Sequence, residues 1–252
     1  MQIDLASLFG QAKVWRQRGR QALAGHWQVA AVATLAGLVI ILGLNWLIAA
    51  DGIMSWLAGV LALLVGGPVV YIWHWLALRL VRRQRLDWSQ LNLFGRNFWR
   101  ICRIYWLTAV KVLLWSGLFG AYAVFGLVLM GTTASLINSL GTAAVLVWVV
   151  ILLVVAATLL VAVALPWSLI VVRYGLTFFV AVDQPELNAR AVGARVRQLM
   201  RGQTWSYWAL SVSFVGWIGL SAAVFGVGLG WSIPYLLAAA AAFYEQALRA
   251  EK

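Results

Sequence analysis

Four stretches of this chain run for more than twenty residues without an Asp, Glu, Lys or Arg: Val29–Ala50, Ile53–Leu78, Val112–Val172 and Thr204–Tyr244. The third continues past the lone Arg173 through Tyr174 to Val182. A hydrocarbon core of about 30 Å needs about 20 helical residues per crossing, and irregular backbone cannot face lipid. The pattern therefore predicts an all-α, polytopic integral membrane protein with six spans in three hairpins.

Val29–Ala50 is the first expected span, bracketed by Trp27 and Trp46 as interfacial aromatics, with Asp51-Gly52 as the turn. The return lies within Ile53–Leu80 and contains Gly66-Gly67-Pro68. It is long for one crossing, so it is tilted, broken at the proline or begun by an outer loop. Span three runs from about Ile104 to Met130, and Gly131–Gly141 is an outer loop. Thr142–Val182 must cross once, because charge resumes at Asp183; a kink is expected near Pro166. Its remainder, 165–182, is either covered by protein or placed at the interface. Thr204–Phe225 and Trp231–Leu248 are spans five and six, joined by a turn at Gly226, Gly228 and Gly230.

Three basic amphipathic segments precede the hairpins. In residues 1–26, Leu5, Leu8, Phe9, Ala12, Trp15, Gly19 and Leu23 share a helical face; Lys13, Arg18 and Arg20 lie away from it, and Arg16 is on it. Asp87–Arg103 is the second. The third starts at Asp183-Gln184-Pro185-Glu186, read as a helix cap, and places Val192, Val196, Leu199 and Met200 opposite Arg190, Arg197 and Arg201. All three are expected to lie on the cytoplasmic membrane surface. Each second span of a hairpin carries a proline (Pro68, Pro166, Pro234), and short matches such as L-F-G at Leu8 and Leu93 recur, which suggests a threefold hairpin repeat.

Composition strengthens this picture. Of 252 residues, 64% are hydrophobic and 10% charged, with mean hydropathy +0.91; soluble domains carry about 25% charged residues. The net charge of +12 is accounted for by orientation. The outer segments contain no Lys or Arg, and the inner loops and ends hold nearly every one, Arg79, Arg82, Arg83 and Arg85 among them. Both termini are thus expected in the cytoplasm, the N-terminal segment as an uncleaved anchor. The whole of 1–252 reads as a single membrane domain: an N-terminal amphipathic helix over 1–26 and a six-span bundle over 27–248. Anionic headgroups are the expected partners, with other membrane proteins or a second copy of the chain as further candidates; nucleic acid is not expected. One cysteine, Cys102, and two distant histidines, His26 and His74, point to neither a disulfide nor a metal site nor a cofactor.

L-P-W-S-L-I-V-V-R-Y at 165–174, V-D-Q-P-E at 182–186, Q-L-M-R-G at 198–202, S-V-S-F-V-G-W at 211–217, I-P-Y at 233–235 and F-Y-E at 243–245 resemble the bacterial family known as domain of unknown function 975. A-L-A-G-H-W at 22–27 and F-G-R-N-F at 94–98 match more loosely. The family tends to have Pro-Gly before the Arg-Tyr, whereas here Trp167 follows Pro166. The resemblance implies a multi-span protein of the cytoplasmic membrane, mainly of Gram-positive bacteria, and implies no activity.

Among the polar residues, an intramembrane arginine is costly and pairs or meets water, so Arg173-Tyr174 is the leading candidate. Glu245, beside Tyr244 at the inner end of span six, is its expected partner, with Glu186 as the fallback; Asp183 lies roughly 15 Å further along a continuous helix, too far unless the helix breaks. Lys111 is expected to snorkel, His74 to pack between helices, and Asn45 and the Ser/Thr residues of span five to bond between helices. Gly216 and Gly219 are expected close-packing positions. Arg82, Arg83, Arg190, Arg197 and Arg201 are expected headgroup contacts. No acid pair, His cluster or Ser/Lys arrangement converges, so an enzyme is not expected. The function expected is a non-enzymatic accessory, assembly or immunity-type role exerted through lipids or proteins. The alternative is a transporter or lipid translocator, which a cavity lined by Arg173, Lys111, His74 or Glu245 would favour.

Overall fold

The structure, a computed structural model, describes residues 5–49, 52–86, 97–137, 148–150, 153–154, 166–223, 226 and 228–251. Every regular element among them is helical: Leu5–Leu23 (α1), Trp27–Ile48 (α2), Ile53–Val81 (α3), Phe98–Ile137 (α4), a helical segment over 166–173, Thr177–Asp183 (α5), Ala189–Leu199 (α6), Thr204–Val212 (α7), Val215–Ala223 (α8) and Leu229–Ala250 (α9). Five stretches are long and apolar enough to cross a membrane: Trp27–Ile48, Ile53–Val81, Phe98–Ala121, Pro166–Asp183 and Thr204–Ala223. These stretches mark a membrane protein. The chain divides into two compact units, one formed by Met1–Thr108 with Val172–Lys252 and the other by Ala109–Val171.

In the first unit α9 is the hub, packed by α1, α2, α3, α7 and α8. Ala238–Ala242 are all buried, with Phe243 and Tyr244 beside them. A helix sheathed by other helices is not required to be uniformly apolar, and α9 accordingly carries Ser232, Pro234, Glu245 and Gln246. It is the expected sixth span, and it is not among the five most apolar stretches. Glycines set the close approaches. A Cβ at Gly19 would lie 2.6 Å from the Ala239 backbone nitrogen, so α1 lies directly on the α9 main chain. Gly37 makes room for the Trp73 ring, whose Nε1 donates to the Ala33 carbonyl at 3.1 Å.

The Gly66-Gly67-Pro68 motif does not break α3, which runs unbroken from Ile53 to Val81. Proline lacks the N–H that would bond the carbonyl four residues back, and its ring crowds that turn. The Leu64 carbonyl, which loses its helical partner, finds a donor on α4 instead. Leu64 accepts from the Cys102 thiol at 3.6 Å, and Leu63 accepts from Trp106 Nε1 at 3.0 Å. The two glycines let α4 approach closely enough for this, since a Cβ on Gly66 would meet the Tyr105 ring at 3.0–3.3 Å.

The structure departs from several of the sequence-based expectations. The apolar faces of the first and third amphipathic segments are covered by protein: Ala12, Trp15 and Leu23 of α1, and Val192, Val196 and Leu199 of α6, belong to one core cluster. The third segment starts later than its acidic cap implied. Asp183 ends α5, and Asn188 caps α6 by accepting from the Ala191 N–H at 2.9 Å. The expected fourth crossing bends at 174–176, where a Gly175 Cβ would lie 2.5 Å from the Tyr207 ring. Beyond that bend Leu176 to Ala181 are buried in the bundle, whereas Trp167 and Arg173 before it are exposed. Span five is two helices, broken at Ser213-Phe214, with the Ser213 hydroxyl donating to Leu210 and Phe214 fully buried. Asn45, Ser211 and Ser213 bond carbonyls of their own helical segments, and Thr204, at the start of α7, bonds the Met200 carbonyl at the end of α6, one turn back along the chain. Among the described residues, a Cβ at Gly216 or Gly219 would meet nothing within 4 Å, so the described helices do not use either as a close-packing site. Residues 131–137, expected to open the outer loop, continue α4 as helix. Most of the second amphipathic segment (87–96), the rest of that loop (138–141) and much of span four lie outside the described residues.

In the second unit α4 continues through Trp115, which stacks with Phe119, and Trp167 Nε1 donates to the Ser116 hydroxyl at 2.8 Å. Lys111 lies exposed on this part of α4.

Candidate functional site

Three helix ends meet at one pole of the first unit. Arg82 caps the C-terminus of α3; its Nη1 donates to Asp183 at 2.5 Å and its Nε to Glu245 at 2.6 Å. The Tyr244 hydroxyl donates to the other oxygen of Asp183 at 3.0 Å. One guanidinium thus serves two carboxylates from α5 and α9, all 18–27% exposed. Burial by itself would lower the Arg82 pKa, but the hydrogen bonds and negative charge of Asp183 and Glu245 outweigh it and hold the group above its ordinary value. Alongside, Trp15 Nε1 and Arg18 Nη1 both donate to the Gln246 side-chain oxygen, at 2.9 and 3.1 Å.

Beside this cluster opens a cleft of about 940 Å³, walled by Arg18, Arg82, Arg83, Gln84, Glu245 and Arg249 among others. Glu245 is already engaged by Arg82. Among the described residues Arg18, Arg83 and Arg249 have no carboxylate partner. Arg83 is also the one non-glycine residue with positive φ, +54°, among the described residues. It closes α3 in a Schellman turn, its N–H bonding the Leu80 carbonyl at 3.1 Å and the Gln84 N–H bonding Arg79 at 3.0 Å. Glycine normally fills that left-handed position, and a side chain there costs about 1 kcal/mol. The strained residue sits on the cleft wall.

A second arrangement lies at the side of the unit. Arg100 stitches the end of α5 and the chain after it to α4: its Nε donates to Leu187 at 2.7 Å, and its Nη2 to Ala181 at 3.1 Å and Gln184 at 2.9 Å. Its Nη1 is buried with no hydrogen-bond partner among the described residues.

The structure brings Asp183, Tyr244 and Glu245 together, as a cluster, around Arg82 in place of Arg173. Arg173 is exposed at the bend of the fourth crossing, with Tyr174 half-buried beside it. His74 packs on Phe178 and Phe179, and its Nδ1 lies 2.7 Å from the Val70 carbonyl. Arg190, Arg197 and Arg201 are exposed along and just beyond α6, whereas Arg82 is turned inward to the acids. Sequence reasoning missed Arg82 as the hub and Arg100 as the stitch. The first had a signal: Arg82, Asp183 and Glu245 each stand just beyond an apolar stretch, at matching depth. The second depends on the path of 181–187 and had none.

A family model described as "Protein of unknown function (DUF975)" matches residues 11–251. No curated protein and no solved structure matches the chain.

Proposed function

This chain belongs to the DUF975 family of unknown function, and we propose that it is a non-enzymatic membrane protein acting by holding an anionic, phosphate-bearing group in its polar-end cleft. The observation that carries this reading is the cleft wall: Arg18, Arg83 and Arg249 converge there without carboxylate partners among the described residues. Guanidinium forks bind phosphate and carboxylate oxygens best when no internal acid competes. The left-handed Arg83 supports it further, because strain kept at a cleft wall is a mark of function. A non-catalytic role is supported by the engagement of the nearby acids, since Asp183 and Glu245 both face Arg82.

The topology belongs to the same proposal. Six spans in the cytoplasmic membrane, with α9 as the sixth and both termini inside, would put this pole at the cytoplasmic headgroups. Support comes from the contacts that gather Arg18, Arg82, Asp183, Glu245, Arg195 and Glu251 at helix ends. Basic faces such as Arg190, Arg197 and Arg201 would then meet anionic lipid. A transport role is the second reading, favoured by Glu245 lining an open cleft; Arg173, Lys111 and His74 are not in that lining.

The test replaces Arg18, Arg83 and Arg249 by Gln together and measures anionic lipid or phosphate carried through purification. Loss of the bound anion with an unchanged unfolding temperature is expected. Equal retention by wild type and variant would overturn the assignment, and phospholipid movement in vesicles would favour the transport reading.

A further inference from the structure

Beyond that cleft, α3, α4 and the start of α6 frame a separate lateral groove. It measures about 790 Å³ and is walled by Leu63, Leu64, Trp99, Trp106, Arg103 and Glu186 among others. A pocket of about 410 Å³ adjoins it, sharing Arg103, Asn188 and Ala189 and adding Arg190 and Leu107. Both volumes fall in the range of small-molecule sites, about 300–1,000 Å³. The wall is apolar and partly aromatic, with Trp99 71% exposed. The mouth is basic: among the described residues Arg100, Arg103 and Arg190 stand against one carboxylate, that of Glu186. Arg100 spends its bonds on backbone carbonyls, so its charge is not neutralised by any ion pair among the described residues. The first turn of α6 adds the positive end of a helix to the same mouth.

We propose that this groove binds one anionic phospholipid, its acyl chain along Leu63, Leu64 and Trp106 and its phosphodiester between Arg103 and Arg190. The chemistry of the two ends decides the occupant. A free anion has no use for the apolar wall. A neutral chain has no use for two guanidiniums, and a zwitterionic headgroup would bring a cation against them. Side-chain donors of α4 close the apolar floor: the Leu64 carbonyl, which Pro68 leaves without its helical N–H, accepts from the Cys102 thiol, and the Leu63 carbonyl accepts from Trp106 Nε1. Arg103 and Arg190 are exposed and make no ion pair among the described residues, so they are available to the ligand.

The test uses the full chain, purified in detergent, delipidated and examined by native mass spectrometry with phosphatidylglycerol or phosphatidylcholine. One phosphatidylglycerol should be retained, preferred by about tenfold over phosphatidylcholine, the equivalent of one 1.4 kcal/mol step. Arg103→Gln with Arg190→Gln should bring the preference to near parity without lowering the unfolding temperature. Ala189→Phe, which fills the groove and keeps every charge, should remove the adduct. Neutralising Arg18, Arg83 and Arg249 should leave it in place, so failure of the polar-end cleft and failure of this groove are told apart. Equal retention of both lipids by wild type would overturn the proposal, as would an adduct that survives the Gln pair. Full displacement by inorganic phosphate alone, or a co-purifying protein segment in the groove, would overturn it too.

Discussion

Replacing Arg82 by Gln removes one guanidinium that faces two carboxylates. At an effective dielectric of about 20, unit charges about 4 Å apart attract by about 4 kcal/mol, and desolvation offsets much of that gain. Exposed pairs net about 0–1 kcal/mol, while truncating a buried pair costs about 3–5 kcal/mol. These partners are 18–27% exposed, so about 1–2 kcal/mol per pair is the appropriate scale. Arg82→Gln loses both pairs and leaves Asp183 and Glu245 without their cation, a loss of about 3 kcal/mol. Glu245→Gln leaves Arg82 on Asp183 and should cost only about 1 kcal/mol. The assay is unfolding by SDS in mixed micelles, followed by tryptophan fluorescence. The double variant should lose less than the two singles added together, with a coupling of about 1–2 kcal/mol. Strictly additive losses, or Glu245→Gln costing as much as Arg82→Gln, would refute the shared-guanidinium account.

The same cluster makes a pH prediction. The folded pKa of Arg82 is raised, so the stability its charge contributes is complete below the unfolded pKa and lost only as pH rises through the folded one. The gap between wild type and Arg82→Gln should therefore stay constant from about pH 7 to about pH 10. Gly19→Ala should cost about 1–3 kcal/mol by pushing a methyl into the α9 backbone, whereas Gly10→Ala, with nothing near its Cβ position, should not destabilise; limited proteolysis of α1 reports both, and equal susceptibility would count against the contact. Pro68→Ala returns an N–H to Leu64, so the buried Cys102 thiol loses its acceptor and should react faster with a maleimide; an unchanged rate would show that the proline does not create that bond. For orientation, Ile53→Cys and Gln84→Cys in a Cys102→Ala background flank the two ends of α3, so labelling in intact cells should reach the first from outside and the second only from inside, and the reverse pattern would invert the topology.

Much of the helix content was legible because one physical requirement, a helix sheathed in apolar residues, writes itself into every crossing. The α2 and α3 boundaries follow the edges of the uncharged stretches within about a turn. What the pattern does not contain is which face meets lipid and which meets protein. Val192, Val196 and Leu199 have the same periodicity whether they dip into a bilayer or cover a core, and here they cover a core. Thr204, Ser211 and Ser213 of span five find carbonyls three or four residues back along the chain, so their presence says nothing of a neighbouring helix. Gly175 and Ser213-Phe214 break helices that hydropathy alone runs straight through.

The choice of partner for Glu245 turns on depth and direction. Arg173 and Arg82 both adjoin apolar stretches, and the sequence pairs Glu245 with Arg173 because an arginine embedded in such a stretch needs a partner, while Arg82 reads as a headgroup contact. The fourth crossing bends at 174–176, however, and that bend turns the chain so that Leu176 to Ala181 enter the core while Arg173 stays exposed. Asp183 is then carried to the end of α5, beside the C-terminus of α3, where the last-turn carbonyls already favour a cation. Arg82 is the residue standing there, and the acids of α5 and α9 meet it from two sides. The cost of burying two carboxylates falls on a single guanidinium that is itself fixed by a helix end. That arrangement leaves Arg18, Arg83 and Arg249 without acidic partners among the described residues along the cleft, and this is the ground on which a phosphate-bearing group is proposed as its occupant.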